Sequence, residues 1–309
     1  MELGLMVEPQ VGGSYARLRE LALWAEEEGL DAFARSDHFL DQERSAPATD
    51  ALTTLGGLAE VTDAIQLVVL VTPITFRHPA VIAKTAATLD EMSDGRFALG
   101  VGTGWMQGEH DMLGIDLPEL GERFDRFYET LSYLDAAFGT NKGFAGVHYS
   151  LAPIDVLPRP ANVPIVVGGS GMKKTPTYAG RFANEYNMFV TDRETLERRL
   201  DVMRAAEAAA GRESGTVKVS FAGPAVVAAT DDEYAALLTA RGSKRDMSAT
   251  EYEAFLAERN VPRGAPDQVA AVIEELEEMG VGRFYVQQYA HLDDVDTDEL
   301  APVFEALRG

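Results

Sequence analysis

The chain has 309 residues, 46% of them hydrophobic, and a formal net charge of −23. That charge repels DNA, RNA and acidic membrane surfaces, so no nucleic acid or membrane partner is expected, and an anionic ligand must be held by local groups against the overall field. Cysteine is absent, which excludes disulfides, thiolate metal ligands and a cysteine nucleophile.

The first strand is expected at Leu3–Val7, with no charged-then-apolar leader before it. No later apolar run approaches the roughly 18 residues of a membrane span, so a cytoplasmic protein is expected. An amphipathic helix follows over Tyr15–Glu28, with Leu18, Leu21, Ala22 and Ala25 on one face and Gly29 as its stop. Strands are then predicted at Leu30–Ala34, Ile65–Val71, Arg96–Val101, Pro164–Val167, Glu185–Val190, Val217–Ala222 and Arg283–Gln287. Several are apolar throughout, as strands buried on both faces are. The helices between and after them fall at Asp50–Thr62, Ala80–Met92, Glu122–Phe138, Lys173–Phe182, Arg193–Ala210, Asp267–Met279 and Asp298–Leu307.

Eight uninterrupted βα units predict an α/β fold, either a closed barrel or a doubly wound sheet, and the count of eight favours a single (β/α)8 TIM barrel over residues 1–309. Two segments depart from the repeat and are read as insertions after strands 4 and 7. Gly139–Pro160 is rich in Gly, Pro and aromatics, with a short hairpin expected around Val147–Ser150 and Ile154–Leu157. Gly223–Gly264 carries helical patterns at Asp232–Leu238 and Ala249–Glu258. Insertions after barrel strands usually build the mouth of the substrate site.

Catalytic groups of a barrel sit at the C-terminal ends of its strands. Ser36-Asp37-His38-Phe39 occupies such an end. His38 can trade a proton near neutral pH, and Asp37 beside it can orient the ring or hold its charge. Gly168-Gly169-Ser170-Gly171 leaves an apolar strand and enters a helix, where glycines admit a ligand close to the backbone and free N–H groups attract a phosphate. Lys173, Lys174 and Arg181 follow and can add positive charge. Gly102-Thr103-Gly104-Trp105 ends the fourth strand, with the Thr103 hydroxyl placed to meet a ligand. The other histidines are weaker candidates. His78 in Arg-His-Pro is read as fixing a loop, and His148 falls in the expected hairpin. His110 beside Glu109 and Asp111, and His291 beside Asp293 and Asp294, are read as scattered acids rather than a metal site.

The stretch from Arg77-His78-Pro79 through Asp94-Gly95-Arg96 to Gly102-Thr103-Gly104-Trp105, together with Val163-Pro164-Ile165-Val166-Val167-Gly168-Gly169-Ser170-Gly171 and Ser36-Asp37-His38, resembles the luciferase-like monooxygenase superfamily. The branch of reductases and dehydrogenases that use coenzyme F420 is the nearest in pattern. The resemblance runs in order over nearly the whole chain. It implies a (β/α)8 barrel with F420 at its C-terminal face and hydride transfer between the deazaflavin C5 and a small organic substrate. It also implies His38 and Asp37 as catalytic residues at the cofactor, and Val69, Leu70, Thr72, Gly102, Thr103, Gly168, Gly169, Ser170 and Gly171 as cofactor contacts. A bulge with a non-prolyl cis peptide is implied behind the cofactor ring, at Val69–Leu70, and a homodimer is implied for the assembly. Some dehydrogenases of the family carry a catalytic acid where Trp105 stands, and their cationic cluster for a substrate phosphate is not evident here. The alternatives are an FMN-dependent monooxygenase of the same fold and a non-catalytic cofactor-binding barrel.

Overall fold

The computed structural model describes residues 1–41, 46–139 and 143–309. Eight parallel strands close into one barrel: β1 (Glu2–Val7), β2 (Ala32–Arg35), β3 (Gln66–Pro73), β4 (Phe97–Gly102), β5 (Ile165–Gly168), β6 (Glu185–Phe189), β7 (Lys218–Gly223) and β8 (Arg283–Gln288). Neighbours in sequence are neighbours in space, and β8 pairs with β1 to complete the ring. Helices α1 (Tyr15–Glu27), α2 (Ala51–Ala59), α3 (Pro79–Met92), α4 (Gln107–Leu113), α5 (Leu120–Phe138), α6 (Lys174–Phe182), α7 (Arg193–Ala209), α8 (Asp231–Ser243), α9 (Ala249–Glu258), α10 (Pro266–Glu278) and α11 (Thr297–Arg308) connect and follow them. Among the described residues, no helix is long and apolar enough to cross a membrane.

The strands alternate between two cores. Leu5, Phe33, Val69, Leu99, Val167, Phe221 and Phe284 face the helices. Met6, Ala34, Val68, Leu70, Ala98, Val166, Ala222 and Tyr285 fill the barrel. Small inward residues leave room for one large one: a Cβ on Gly4 would stand 2.6 Å from the Tyr285 ring. The N-terminal end is closed by a polar plug in which buried Arg283 contacts Glu185 (2.8 Å), the Tyr285 hydroxyl (2.8 Å) and Glu2. Charges at this end are paired with one another and serve the scaffold, which leaves the opposite end for chemistry.

Local signals set the helix starts. Ser14 and Asp50 cap α1 and α2 by accepting the Arg17 and Thr53 amides, and Pro79 occupies the first turn of α3 after His78. The expected hairpin is displaced. Phe144–Ala145 pairs antiparallel with Ser150–Leu151, while Ile154–Leu157 forms no strand. Pro153 and Pro158 bracket Ile154–Leu157 and supply no ladder donor at either end, and the Glu129 carboxylate instead collects the amides of Val147, His148 and Tyr149. Residues 140–142 of this insertion lie outside the described residues. The second insertion holds α8 and α9 over a small core of its own, with Val226–Val227 paired to Arg263–Gly264.

Strand β3 is irregular where it meets β4. Its register shifts between Val69 and Thr72, and the non-prolyl cis peptide is Leu70–Val71, one bond later than expected. Val71 thereby lodges between two glycines. A Cβ on Gly102 would lie 2.8 Å from one Val71 methyl, and a Cβ on Gly168 2.7 Å from the other. These glycines make room for a protein side chain, a use the sequence did not disclose. Gly168→Ala is expected to destabilise by about 1–3 kcal/mol through overpacking. Adding Val71→Ala is expected to recover part of that loss, because the two sites share one contact. Urea melts that show simple additivity refute this packing account.

Candidate active site

A cavity of about 810 Å³ opens at the C-terminal end of the barrel. It is lined by His38 and Ser36 after β2, Leu70, Val71 and Pro73 of β3, and Gly102 to Met106 after β4. Gly168 to Gly171 after β5, Asn187 to Phe189 of β6, and Gln287 and Tyr289 at the end of β8 complete its wall, with Glu8 and Gln10 from the loop after β1. Ser36 and His38 of the triplet and the two glycine segments singled out in the sequence therefore meet around one space.

His38 is held by a residue the sequence did not nominate. Its Nδ1 lies 2.8 Å from Glu109 Oε2, and Glu109 is fully buried on α4. Glu109 Oε1 also accepts the amides of Phe39 (2.5 Å) and Leu40 (3.0 Å), so one carboxylate fixes both the ring and the backbone beside it. A carboxylate only accepts, so Nδ1 carries the hydrogen and Nε2 is the nitrogen left for a ligand. Burial alone would lower the His38 pKa. The hydrogen bond and charge of Glu109, with Glu8 and Asp37 nearby, outweigh it and raise the value above 6.5. Burial would raise Glu109, but His38 and the two amides hold it below its ordinary range. Trp105 meets the His38 ring edge-on at 6.0 Å between centroids.

Asp37 does not orient His38. It is buried behind the cavity wall, where its carboxylate meets Arg77, which also binds Asp50 and the Thr72 hydroxyl. Thr72 is fully buried on that network and does not line the cavity. Val69 is also fully buried, in the layer between sheet and helices. Leu70, Gly102, Thr103, Gly168, Gly169, Ser170 and Gly171 do line it.

The glycine loop is held from behind. Arg199 of α7, buried, donates to the Ser170 carbonyl at 2.6 Å, and the Gly169 amide donates to the Asn187 carbonyl at 3.2 Å. Among the described residues, no protein acceptor meets the Ser170 and Gly171 amides. Gly169 has φ +145, where a side chain is strained, and a Cβ on Gly171 would stand 2.7 Å from the Thr175 hydroxyl. The start of α6 carries no side-chain cap. Free amides, a helix N-terminus and the Thr175 hydroxyl at the cavity form a cradle suited to a phosphate. Of the flanking cations, Lys173 is exposed outside the cavity lining, and Lys174 and Arg181 are engaged elsewhere. Lys174 pairs with Asp125 at 3.7 Å and lies over the Phe124 ring, and Arg181 stacks on Tyr128 and Phe182. Neither belongs to the cavity lining.

Three of the four remaining histidines have side-chain partners, and His148 lies in the turn between the two short antiparallel strands of the first insertion. His110 is buried between the Met106 carbonyl and the Thr75 hydroxyl, each at 2.8 Å. His78 and His291 cap helical turns. Among the described residues, no group of three or more His, Asp or Glu is arranged for a metal ion.

Comparison with known proteins gives a consistent result. The family profile described as Luciferase-like monooxygenase matches residues 1–283. An F420-dependent glucose-6-phosphate dehydrogenase from Microbacterium testaceum is 38% identical over 173 residues, 55% of this chain and 51% of that protein. The chain thus spans about half the length of the curated relatives it matches first. Among solved structures, the coenzyme F420-dependent tetrahydromethanopterin reductase of Methanopyrus kandleri superposes with a TM-score of 0.74 at 19% identity, covering 97% of this chain and 96% of that one. The monooxygenase RslO1 of Streptomyces bottropensis gives 0.81 at 22%, covering 99% and 97%. At these identities the structural likeness establishes the barrel fold alone.

Proposed function

Because the chain belongs to the luciferase-like monooxygenase family, we propose that it is an oxidoreductase that uses coenzyme F420 and moves a hydride between the deazaflavin C5 and a small organic substrate. Matching relatives named as F420-dependent dehydrogenases support the cofactor. The observation that carries the reading is the placement of two devices on one cavity: a histidine locked to a buried carboxylate, and a phosphate cradle across the barrel mouth.

When bound, the cofactor supplies the hydride donor or acceptor, and the protein supplies position and proton management. The Ser170 and Gly171 amides and the Thr175 hydroxyl would hold its phosphate. Leu70 and Val71 offer an apolar wall, and Gly102 and Thr103 a polar edge. His38 Nε2 exchanges a proton with the substrate heteroatom, and Glu109 steadies the imidazolium as the proton arrives or leaves. Asp37, Arg77 and Thr72 brace the wall from outside the cavity, and the assembly in this reading is a homodimer.

Titration with F420 and, separately, with FMN tests the cofactor. The expected outcome is a saturable change in deazaflavin absorption at lower concentration than any change with FMN. Micromolar or tighter FMN binding with none for F420 overturns the choice and moves the reading to a flavin monooxygenase.

A further inference from the structure

Glu8 is buried at 5% exposure in the loop that leaves β1, and its carboxylate belongs to the cavity wall. Its two oxygens are met by neutral donors. Gln10 Nε2 donates to Oε2 at 2.7 Å, and Gln287 Nε2 donates to Oε1 at 2.5 Å. The Ser36 hydroxyl donates to Gln10 Oε1 at 2.6 Å, which fixes the Gln10 amide with its NH2 group toward Glu8. Of the other acids of this end, Asp37 and Asp50 share Arg77 and Glu109 holds His38, while Asp41, outside the cavity lining, accepts the Tyr289 hydroxyl at 2.6 Å. Arg35 is fully buried and is spent on the Ser36 and Thr49 carbonyls and the Thr49 and Thr54 hydroxyls. Glu8 and Glu109 are the two carboxylates of the cavity lining, and Glu8 is the one without a cationic contact among the described residues.

A buried carboxylate is costly unless a positive partner compensates it. His38 and Arg35 act on Glu8 through charge without touching it, and the cavity is the direction from which a contacting partner can come. The rest of the lining agrees. Among the described residues it contains no Lys or Arg to receive a phosphate or carboxylate on the substrate. The mouth exposes Trp105, Leu120, Phe189 and Tyr289, each more than half accessible. These give apolar area for a substrate body, and the aromatic faces tolerate a cation. We propose that the substrate is an apolar molecule bearing a cationic nitrogen, an amine or the corresponding iminium, with Glu8 receiving that nitrogen. The proposal rests on reading this cavity as the substrate site of the oxidoreductase. It separates the chain from its relative named for glucose 6-phosphate, a dianionic substrate.

Calorimetric binding of three probes of one size decides it: benzylammonium, benzyl alcohol and benzoate, each on the full chain near pH 7. Benzylammonium is expected to bind about tenfold or more tighter than the other two, the worth of one hydrogen bond to a charged group. Glu8→Gln is expected to bring benzylammonium to the level of the alcohol, and Glu8→Asp to retain part of the preference. Equal binding of the three probes, tighter binding of benzoate, or an ammonium preference that survives Glu8→Gln overturns the proposal. Because the wild-type comparison stands alone, a misfolded variant does not rescue it. F420 titration of the wild type is read separately. Ammonium selectivity without F420 binding sinks the oxidoreductase reading and leaves the Glu8 site, while F420 binding without selectivity does the reverse.

Discussion

Replacing His38 by alanine is expected to lower turnover with F420 by about 10²–10⁴-fold, the usual worth of a positioned general acid or base. Cofactor affinity is expected to move far less, because the phosphate cradle lies on the Gly168–Gly171 loop, outside the His38–Glu109 pair. The alanine variant also leaves Glu109 buried without its ring partner, although the Phe39 and Leu40 amides remain on it. His38→Asn separates the two effects. Its amide can still donate toward Glu109, but it cannot carry a proton at neutral pH. A large loss of turnover in both variants, with thermal stability closer to wild type in the asparagine one, supports a proton role. Near-normal turnover in a folded His38→Asn enzyme removes His38 from the chemistry.

The barrel was legible because several strands are near-continuous apolar runs and the long helices between them carry an apolar stripe. Those patterns report burial, and burial in a closed parallel sheet is uniform around the ring. Strand bounds shifted by only a residue or two, as at β2, where Asp31 accepts the Leu3 amide before the strand begins. The site was legible in its backbone parts, since glycines at strand ends announce close approach. It was not legible in its charge pairing. Asp37 adjoins His38 in the chain, yet the two side chains part: Asp37 turns outward to Arg77, and His38 lines the cavity. In extended backbone, consecutive side chains leave opposite faces, so the adjacent acid is a poor candidate for the partner.

The true partner arrives from 71 residues away. It sits on a seven-residue helix too short to show a period in sequence. Glu109 looked like one of several acids around His110 because nothing local marks it as buried. The signal that could have found it is its place in the loop after β4, the same barrel end as His38. Val69 obeys simple alternation, outward between inward Val68 and Leu70, whereas Thr72 was misplaced for a related reason. The register shift in β3 decides which side chains turn inward, and alternation fails across a bulge. The glycines at 102 and 168 were found, but half of their purpose, room for Val71, depends on that same bulge.

Glu109→Gln tests the dyad through its pH dependence. In the folded protein, burial pushes His38 down, and the Glu109 hydrogen bond and charge push it up further, above its ordinary 6.5. Glu109 itself lies low, because His38 and the two amides outweigh its burial. A raised histidine stabilises the fold fully below 6.5, and that contribution is lost as pH rises through its folded value. A lowered glutamate stabilises above its ordinary 4.5, and that contribution is lost as pH falls through its folded value. The pair is therefore worth most between about pH 4.5 and 6.5. Glutamine removes the anion and leaves burial in charge, so the His38 limb of the pH–rate profile is expected to move to lower pH. Turnover near neutrality is expected to fall about 10-fold or more, since imidazolium loses its counter-charge where it must form. The limb moves the same way whether His38 gives or takes the proton, so the test does not require the direction of hydride transfer. Titration of the His38 ring by NMR reads the shift without cofactor or substrate. An unchanged His38 titration in Glu109→Gln would mean that Glu8 and Asp37, the other acids acting on the ring, set its charge, and Glu109 would be reduced to anchoring the Phe39 and Leu40 backbone.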